Sequence, residues 1–294
     1  GAHLRYHAKS VGSNGLPGAT AWKLRLGRNW SHDFAERLVP DPDASHVWLL
    51  TRNGTFKEFR KTGTGTGTYP QANTAPSDEY RQLSVSVGGT TTWQLRGLDG
   101  TVQHFTGNGN WDKTVDRNGN TWQALYEDGA NPTKLTRVTF PDGRQERFTY
   151  DGAGKLFQIH EDGIGGSPTR TWVYTWSGDD LMRITRPDGT AWEFLYEDAT
   201  NPGYLTRMDL VGTDATSRRI EAKFEYDAFG NTSAMCRGEI ACTGVSAVNP
   251  IDKVTFAYTN PQLPPQTIAT HFLSNGASPT SDSRSIESRR QTRS

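Results

Sequence analysis

The sequence predicts an all-β fold of antiparallel strands, and two interlocking repeats carry that prediction. The triplet Phe-x-Tyr occurs four times in the second half of the chain, with its tyrosines at Tyr150, Tyr196, Tyr226 and Tyr258. The pattern Asp/Asn-Gly-x-x-x-x-Phe begins at residues 53, 99, 142 and 188, which are 46, 43 and 46 residues apart. Side chains two residues apart share one face of a strand, so each triplet places two rings on one face. Each unit must bury that face against its neighbours, which favours a sheet of repeated strands.

The turns of this repeat are predicted to be two-residue hairpin turns of type I′. Such turns need positive φ at both central positions, which Asn-Gly and Asp-Gly tolerate. The predicted turns are Asn53-Gly54, Asp99-Gly100, Asn118-Gly119, Asp142-Gly143 and Asp188-Gly189. The phenylalanines of the triplets are predicted to be buried and to lie on neighbouring strands, and they are Phe148, Phe194, Phe224 and Phe256.

Composition supports the same fold class and excludes two kinds of partner. The chain is 33% hydrophobic but 11% aromatic, with 31 Gly and 15 Pro, so large rings supply the core and turns are frequent. No long amphipathic helical pattern is present. Lys and Arg number 32, and Asp and Glu also number 32, so bulk charge does not favour a nucleic-acid partner. No apolar run reaches about 18 residues, so we expect no membrane insertion.

Residues 1–112 are predicted to form an N-terminal β region that packs on the repeats. Trp22–Leu26 alternates apolar and polar residues, as a half-buried strand does, and a hairpin is expected around Asn53-Gly54. Residues 61–79 are rich in Gly, Thr and Pro and are predicted to be a loop. The further strands predicted in this region are Arg81–Val87, Thr91–Leu95 and Thr101–Phe105.

The rest of the chain is predicted to be a repeat sheet followed by a tail. Residues 113–275 form the repeat β-sheet, and residues 22–112 are expected to cover one of its sticky edges. Residues 276–294 are rich in Ser, Thr and Arg and are predicted to be disordered.

Several spaced motifs resemble the Rhs/YD-repeat family. They are the Asp-Gly-x-x-x-x-Phe strands and the segments Gly27–Phe34, Asp116–Asn120, Tyr150–Leu156 and Tyr226–Asn231. The resemblance covers residues 22–260 and implies a long antiparallel sheet that curves and spirals into a hollow shell. It also implies a bacterial protein that is secreted or displayed at the cell surface, with a C-terminal toxin domain as the partner inside the shell.

The chain departs from the full family pattern in two ways. It holds about four or five repeats, and it lacks the Asp-Pro-x-Gly signature that ends the bacterial shell, since Asp41-Pro42 is followed by Asp43-Ala44. The resemblance therefore implies an N-terminal part of an Rhs-repeat protein or a short orphan relative. We expect a non-enzymatic structural module of a toxin-bearing or adhesive shell, without a cofactor.

An aromatic strip supplies the first alternative function. Trp172, Tyr174 and Trp176 alternate with small residues, so three large rings share one face of one strand. They are either a core stripe or an exposed platform on which a glycan could stack, with Arg170 and Asp179 near in sequence. These three residues are the predicted ligand-binding site of a carbohydrate-binding module, and both interpretations stay open.

The second alternative is a glycan hydrolase, for which no acid pair can be nominated, because Asp99, Asp142 and Asp188 are assigned to turns. His32 lies between a serine and an aspartate, but adjacency in sequence does not make a triad and no G-x-S-x-G elbow is present. No catalytic residue and no metal ligand is therefore predicted.

The two cysteines, Cys236 and Cys242, lie six positions apart. They are either two reduced thiols or a disulfide that closes a small loop, and secretion would favour the disulfide.

Overall fold

The computed structural model describes residues 4–6, 29–40, 46–52, 56–60, 67–69, 80–87, 90–237, 242, 253–258 and 267–272. Regular structure within these residues is antiparallel β, apart from one short 3-10 turn at Ile164–Gly166. This confirms the predicted fold class. The predicted strand Trp22–Leu26, the turn Asn53-Gly54 and the tail at residues 276–294 lie outside the described residues.

The strands in chain order are β1 Leu4–Tyr6, β2 Trp30–His32, β3 Arg37–Pro40, β4 His46–Leu50, β5 Phe56–Arg60, β6 Gly67–Tyr69, β7 Gln82–Ser86, β8 Thr92–Arg96, β9 Val102–Thr106, β10 Trp111–Val115 and β11 Thr121–Leu125. They continue with β12 Arg137–Thr139, β13 Gln145–Tyr150, β14 Leu156–Asp162, β15 Thr169–Ser177, β16 Asp180–Thr185, β17 Ala191–Leu195, β18 Arg207–Val211, β19 Arg218–Tyr226, β20 Thr232–Cys236, β21 Lys253–Tyr258 and β22 Thr267–Phe272.

The chain divides into two compact units, residues 1–174 and 175–294. In the first unit β6 to β15 pair in chain order, β3, β4 and β5 form a separate sheet, and β1 pairs with β2. In the second unit β16 to β22 pair in chain order. The domain boundary predicted between residues 112 and 113 falls inside β10. The division of the chain into an N-terminal β region and a repeat sheet stays a prediction.

The hairpin turns lie where the Asp-Gly and Asn-Gly pairs predict them, but their type is different. At Asp99-Gly100 the Gly100 N–H donates to the Gly97 carbonyl (3.2 Å), and the Gly97 N–H donates to the Thr101 carbonyl (2.8 Å). Gly100 has φ of 85°, whereas Asp99 is not among the residues with positive φ. This is a type I turn closed by a glycine bulge, so the type I′ prediction is wrong at this position.

The same bond pattern recurs in the segments 116–120, 140–144 and 186–190. Again only the glycine has positive φ, since Asn118, Asp142 and Asp188 do not. The physical reason is that each acid or amide sits one residue before the bulge. At Asp99, Asp142 and Asp188 the carboxylate accepts the N–H two residues on (2.9, 3.1 and 2.9 Å), which stabilises the turn without left-handed backbone at that residue. In the turn at Asn118 the Asp116 carboxylate accepts the N–H groups of Asn118 and Asn120 instead.

The triplet phenylalanines are less uniform than predicted. Phe148 is 4% exposed and Phe194 is 3% exposed, but Phe224 and Phe256 are only partly buried. They lie on β13, β17, β19 and β21, so the prediction of neighbouring strands is wrong. In the second unit the triplets occupy alternate strands, because one repeat contributes two strands and only one of them ends on Phe-x-Tyr.

Cys236 and Cys242 form a disulfide, with their Cα atoms 5.5 Å apart. Both residues are buried, at 0% and 1% exposure, and Cys242 Sγ lies 3.7 Å from the Lys223 carbonyl on β19. The structure thereby settles the alternative that the sequence left open.

Candidate functional site

Four strands of the described repeat sheet are each fastened by a tyrosine hydroxyl that donates to a backbone carbonyl on or beside the preceding strand. The four bonds are Tyr126 to Trp111 (2.9 Å), Tyr150 to Leu135 (2.8 Å), Tyr196 to Leu181 (2.8 Å) and Tyr226 to Leu205 (2.6 Å). A buried hydroxyl without a partner would be costly, so this bond fixes where each ring can lie. Equivalent residues thus make equivalent contacts in both units.

A threonine repeats the same kind of interstrand contact. The Thr136 N–H and hydroxyl both donate to the Leu125 carbonyl at 2.9 Å, and the Glu127 N–H donates to the Thr136 hydroxyl at 3.0 Å. Seventy residues later Thr206 bonds in the same way to the residues that correspond to this pair. The duplicated sequence therefore encodes duplicated hydrogen bonding, and the sheet is a true structural repeat.

In the first unit, residues 30–40 lie across the apolar face of the repeat sheet. The Phe34 ring stacks on Trp111 at 5.5 Å between ring centroids and meets Phe140 edge-on at 6.0 Å. The His32 ring stacks on Phe148 at 5.7 Å. We call residues 30–40 the N-terminal segment. Its rings cover sheet residues that are more than 70 positions away in sequence.

His32 is buried, at 6% exposure, and it is neutral at ordinary pH. Burial lowers the pKa of its imidazole to about 4, and the nearby Asp33 carboxylate opposes this shift only weakly. Its Nδ1 accepts the Phe34 N–H (3.0 Å), while the Ser31 hydroxyl donates to the Arg52 carbonyl (2.6 Å). Both side chains are thus bonded to backbone groups, and their role here is to hold the N-terminal segment.

A charged cluster joins the N-terminal segment to the sheet. Glu36, which is 8% exposed, pairs with Arg81 (3.3 Å) and accepts a hydrogen bond from the Gln103 amide. Arg81 also donates to the Gln103 side-chain oxygen (3.0 Å). A buried carboxylate needs such partners to offset the loss of hydration, so these three residues fix the register of the segment on β9.

A cavity of about 570 Å³ opens beside this cluster. Aromatic side chains and charged side chains line it together. The residues that matter below are Asp33, Glu36, Arg52, Arg81, Asp99, Asp116, Trp122 and Phe140. We call it the segment cavity. It exists because the N-terminal segment folds back over strands β9 to β12, so no local sequence pattern signals it.

The second unit carries an ion-pair ladder across four adjacent strands. Glu193 pairs with Arg183 and with Arg218, each at 2.6 Å, and Asp209 pairs with Arg207 (2.6 Å) and Arg218 (2.8 Å). Asp209 is fully buried. Burial alone would raise the pKa of its carboxyl, but hydrogen bonds from Arg207 and Arg218 hold that pKa below its ordinary value. The ladder makes one face of this sheet polar and ordered.

The predicted aromatic strip lies on β15. Tyr174 is 4% exposed, whereas Trp172 and Trp176 are partly buried, and the Trp172 Nε1 atom is buried with no hydrogen-bond partner. Arg170, predicted to lie near the strip, pairs with Glu161 at 3.3 Å. The structure therefore places one ring of the three in the core. A glycan-binding role for this strip remains a prediction.

The described residues show neither a metal-binding cluster nor a membrane-spanning helix. No group of three or more His, Cys, Asp or Glu side chains in that part of the chain is arranged to hold a metal ion. None of the helical segments described is long and apolar enough to cross a membrane.

No protein-family model matches the chain. A curated protein, the double-stranded DNA deaminase toxin A of Burkholderia cenocepacia (strain H111), is 26% identical to it over 199 residues. That match covers 66% of this chain but 12% of the toxin, so the chain spans a small part of the relative's length.

Two similar solved structures both contain TccC3. The crystal structure of TcdB2-TccC3-Cdc42 is 17% identical, with a TM-score of 0.40, over 80% of this chain and 13% of that one. The Tc holotoxin pore of Photorhabdus luminescens is also 17% identical, with a TM-score of 0.39, over 80% of this chain and 13% of that one.

Proposed function

We propose that this chain is a structural, non-enzymatic wall segment of an Rhs/YD-repeat toxin, in which the repeat sheet helps to enclose a toxin domain. The observation that carries the proposal is the repeated tyrosine bond, made by Tyr126, Tyr150, Tyr196 and Tyr226 on strands that pair in chain order. A sheet built from repeated units can form a wall, because each unit packs on its neighbour through the same contacts and lengthens the sheet.

Two further observations support the proposal. The sequence motifs resemble the Rhs/YD-repeat family, and the curated relative is named as a toxin, of which this chain matches 12%. Because the match covers a small part of a long toxin, the matching segment could be one part of a shell around the rest of that protein. Secretion or surface display follows from that role, and a disulfide such as Cys236–Cys242 persists in an oxidising compartment.

Electron cryo-microscopy of the full-length protein that contains this segment tests the proposal. We expect strands β10 to β20 to continue into further repeats and to form part of the wall of a closed shell. A separate β domain standing outside any shell would overturn the proposal. A density for saccharide against Trp172 and Trp176 in that map would instead favour the carbohydrate-binding alternative.

A further inference from the structure

We propose that Asn118 is a site of non-enzymatic deamidation, at which the hairpin turn between β10 and β11 is converted to an aspartate or isoaspartate form. The described residues hold two Asn-Gly pairs, Asn108-Gly109 and Asn118-Gly119. The surroundings of the two pairs differ, and only the second pair is free to react. The proposal goes beyond the wall function, because it concerns a chemical change of one turn and not what the sheet encloses.

The two pairs lie in turns of the same kind. In each turn the glycine N–H donates to the carbonyl three residues back, from Gly109 to Thr106 (2.8 Å) and from Gly119 to Asp116 (3.1 Å). Both glycines have positive φ, at 77° and 85°, and both asparagines are exposed. Turn conformation and exposure are therefore matched, so a difference in reactivity must come from what surrounds the peptide bond of each pair.

The N-terminal segment clamps the peptide bond of the first pair. The Gly109 carbonyl accepts the Leu38 N–H (2.9 Å), and the Asn108 carbonyl accepts a hydrogen bond from the Arg37 guanidinium (3.3 Å). A Cβ placed on Gly109 would lie 1.9 Å from the Leu38 carbonyl oxygen, so the backbone is closely packed there. Rotation of this peptide bond would break tertiary contacts with β3.

The second pair is bonded to its own hairpin within the part of the chain that the structure describes. The Asn118 N–H donates to the Asp116 carboxylate (2.8 Å), and the Gly119 carbonyl accepts the Thr121 hydroxyl (3.3 Å). A Cβ placed on Gly119 would meet nothing within 4 Å. The turn between β8 and β9 comes close at Arg117, one residue before the pair. Opening the turn at this pair therefore breaks local bonds and leaves the contacts of the N-terminal segment in place.

Deamidation begins when the Gly119 backbone nitrogen, having lost its proton to a base in the solvent, attacks the Cγ atom of Asn118. A new C–N bond closes a cyclic imide, and the side-chain nitrogen takes up a proton and leaves as ammonia. Water then adds to either imide carbonyl and breaks one C–N bond, which gives aspartate or isoaspartate, so water is consumed and ammonia is released. The glycine favours ring closure because it has no Cβ to obstruct the attacking nitrogen. Its N–H must first leave the Asp116 carbonyl, so the rate follows the opening of the turn.

Isoaspartate changes the hairpin that carries it. It adds one carbon atom to the backbone between β10 and β11, where Val115 pairs with Thr121. The Asp116 N–H donates to the Asn120 carbonyl (3.0 Å) across this turn, and a longer backbone strains that bond. Either product also places a new carboxylate near that of Asp116, and like charges repel. The hairpin is therefore held less firmly after the reaction.

The test incubates the 294-residue chain in warm, mildly alkaline buffer, with and without enough urea to unfold it. Mass spectrometry with peptide fragmentation locates each conversion of amide to acid and distinguishes aspartate from isoaspartate. In urea we expect Asn108 and Asn118 to react at similar rates, because Gly-Asn follows both. In the native chain Asn118 should react about tenfold or more faster than Asn108, because the clamp on the first pair must open before that pair can react.

The matched control is Asn118→Gln, which keeps the amide but has to close a larger ring more slowly. The conversion should disappear from this peptide of the variant, and the Asn108 rate should stay unchanged. A conversion that persists would belong to another amide such as Asn120, whose side chain donates to the Asp116 carboxylate (2.7 Å), and would overturn the proposal. Equal native rates at the two pairs, a faster reaction at Asn108, or no native reaction at Asn118 would each overturn it as well.

Discussion

At the scale of single residues, equivalent side chains of the repeat differ in how deeply they are buried. In three of the triplets, those of Tyr150, Tyr196 and Tyr226, the tyrosine is fixed by a hydroxyl bond to a carbonyl, as at Tyr196 and Leu181 (2.8 Å), whereas the phenylalanine is fixed by burial. Burial differs between copies: Phe194 is 3% exposed and Phe224 is partly exposed. The sequence does not distinguish these two phenylalanines. The Phe-x-Tyr pattern predicts which face of a strand they occupy, but it does not predict how much of the protein packs on that face.

This difference predicts unequal costs of truncation. Phe194→Ala should lower the free energy of unfolding by about 3–5 kcal/mol, because it empties a packed site. Phe224→Ala should cost about half as much or less, since less apolar surface is removed from burial. Asp151→Ala, which removes turn hydrogen bonds, should cost about 1 kcal/mol. Urea denaturation measures all three, and a ranking with Asp151→Ala above Phe194→Ala would show that strand and turn are misassigned.

At the scale of strands and turns, the sequence predicts most positions well and conformations less well. The loop predicted at residues 61–79 is wrong in part, because Gly67–Tyr69 forms β6 and pairs with β7. The strands predicted at Arg81–Val87, Thr91–Leu95 and Thr101–Phe105 agree with β7, β8 and β9 to within one residue. The turns also lie at the predicted dipeptides. Their type differs because an Asp-Gly pair suits either a type I′ turn or a type I turn with a glycine bulge, and the strand register decides between them.

The glycine bulge makes a prediction about two otherwise similar glycines. Gly143 has φ of 84° and Gly129 has no positive φ, and an added Cβ would meet nothing within 4 Å at either position. Gly143→Ala should therefore cost about 1 kcal/mol from backbone strain alone. Gly129→Ala should be neutral or slightly stabilising, because alanine restricts the unfolded chain. Thermal denaturation of the two variants compares them, and equal melting temperatures would contradict the turn assignment.

The N-terminal segment as an element predicts a dependence of stability on pH. His32 is buried against Phe148, and the titratable or charged groups around it are Asp33, Glu36, Arg37, Tyr126 and Tyr150. The pKa of His32 falls from 6.5 unfolded to about 4 folded. Between these values the unfolded chain binds more protons, so stability is fully present above pH 6.5 and decreases as the pH falls towards 4.

The full loss corresponds to about 3 kcal/mol, since each pKa unit is worth about 1.4 kcal/mol. His32→Phe removes the titrating group and keeps a ring on Phe148. It loses the bond to the Phe34 N–H, which shifts stability by a constant at every pH. The readout is therefore the slope: urea midpoints between pH 7 and pH 4 should fall less steeply in His32→Phe. Parallel slopes in the two proteins would contradict the buried neutral state of His32.

At the scale of the whole molecule, the sequence indicates repeats but not what long-range folding brings together. The segment cavity joins Asp33 to Trp122 and Phe140 because residues 30–40 return across the sheet, and nothing local in the sequence encodes that return. The aromatic strip shows the converse. Its alternation is visible in the sequence, yet Tyr174 is 4% exposed, because alternation specifies a face and not the layer that covers it.

The wall account requires the two faces of the repeat sheet to have different surroundings in the full-length protein. Thr169 and Arg170 are adjacent on β15 and both are exposed, so their side chains point to opposite faces of one strand. Cysteine introduced at either position can be labelled selectively under non-reducing conditions, because Cys236 and Cys242 are bonded to each other.

The most direct measurement is the rate at which a 5 kDa polyethylene glycol maleimide, roughly the size of a small folded domain, reacts with Thr169→Cys and Arg170→Cys. In the 294-residue chain both variants should react at similar rates. In the full-length protein the account predicts that one variant keeps its rate and the other slows by about tenfold or more, because its face is enclosed and reached only by transient opening. Equal rates for both variants in the full-length protein would contradict the claim that this sheet is part of a closed wall.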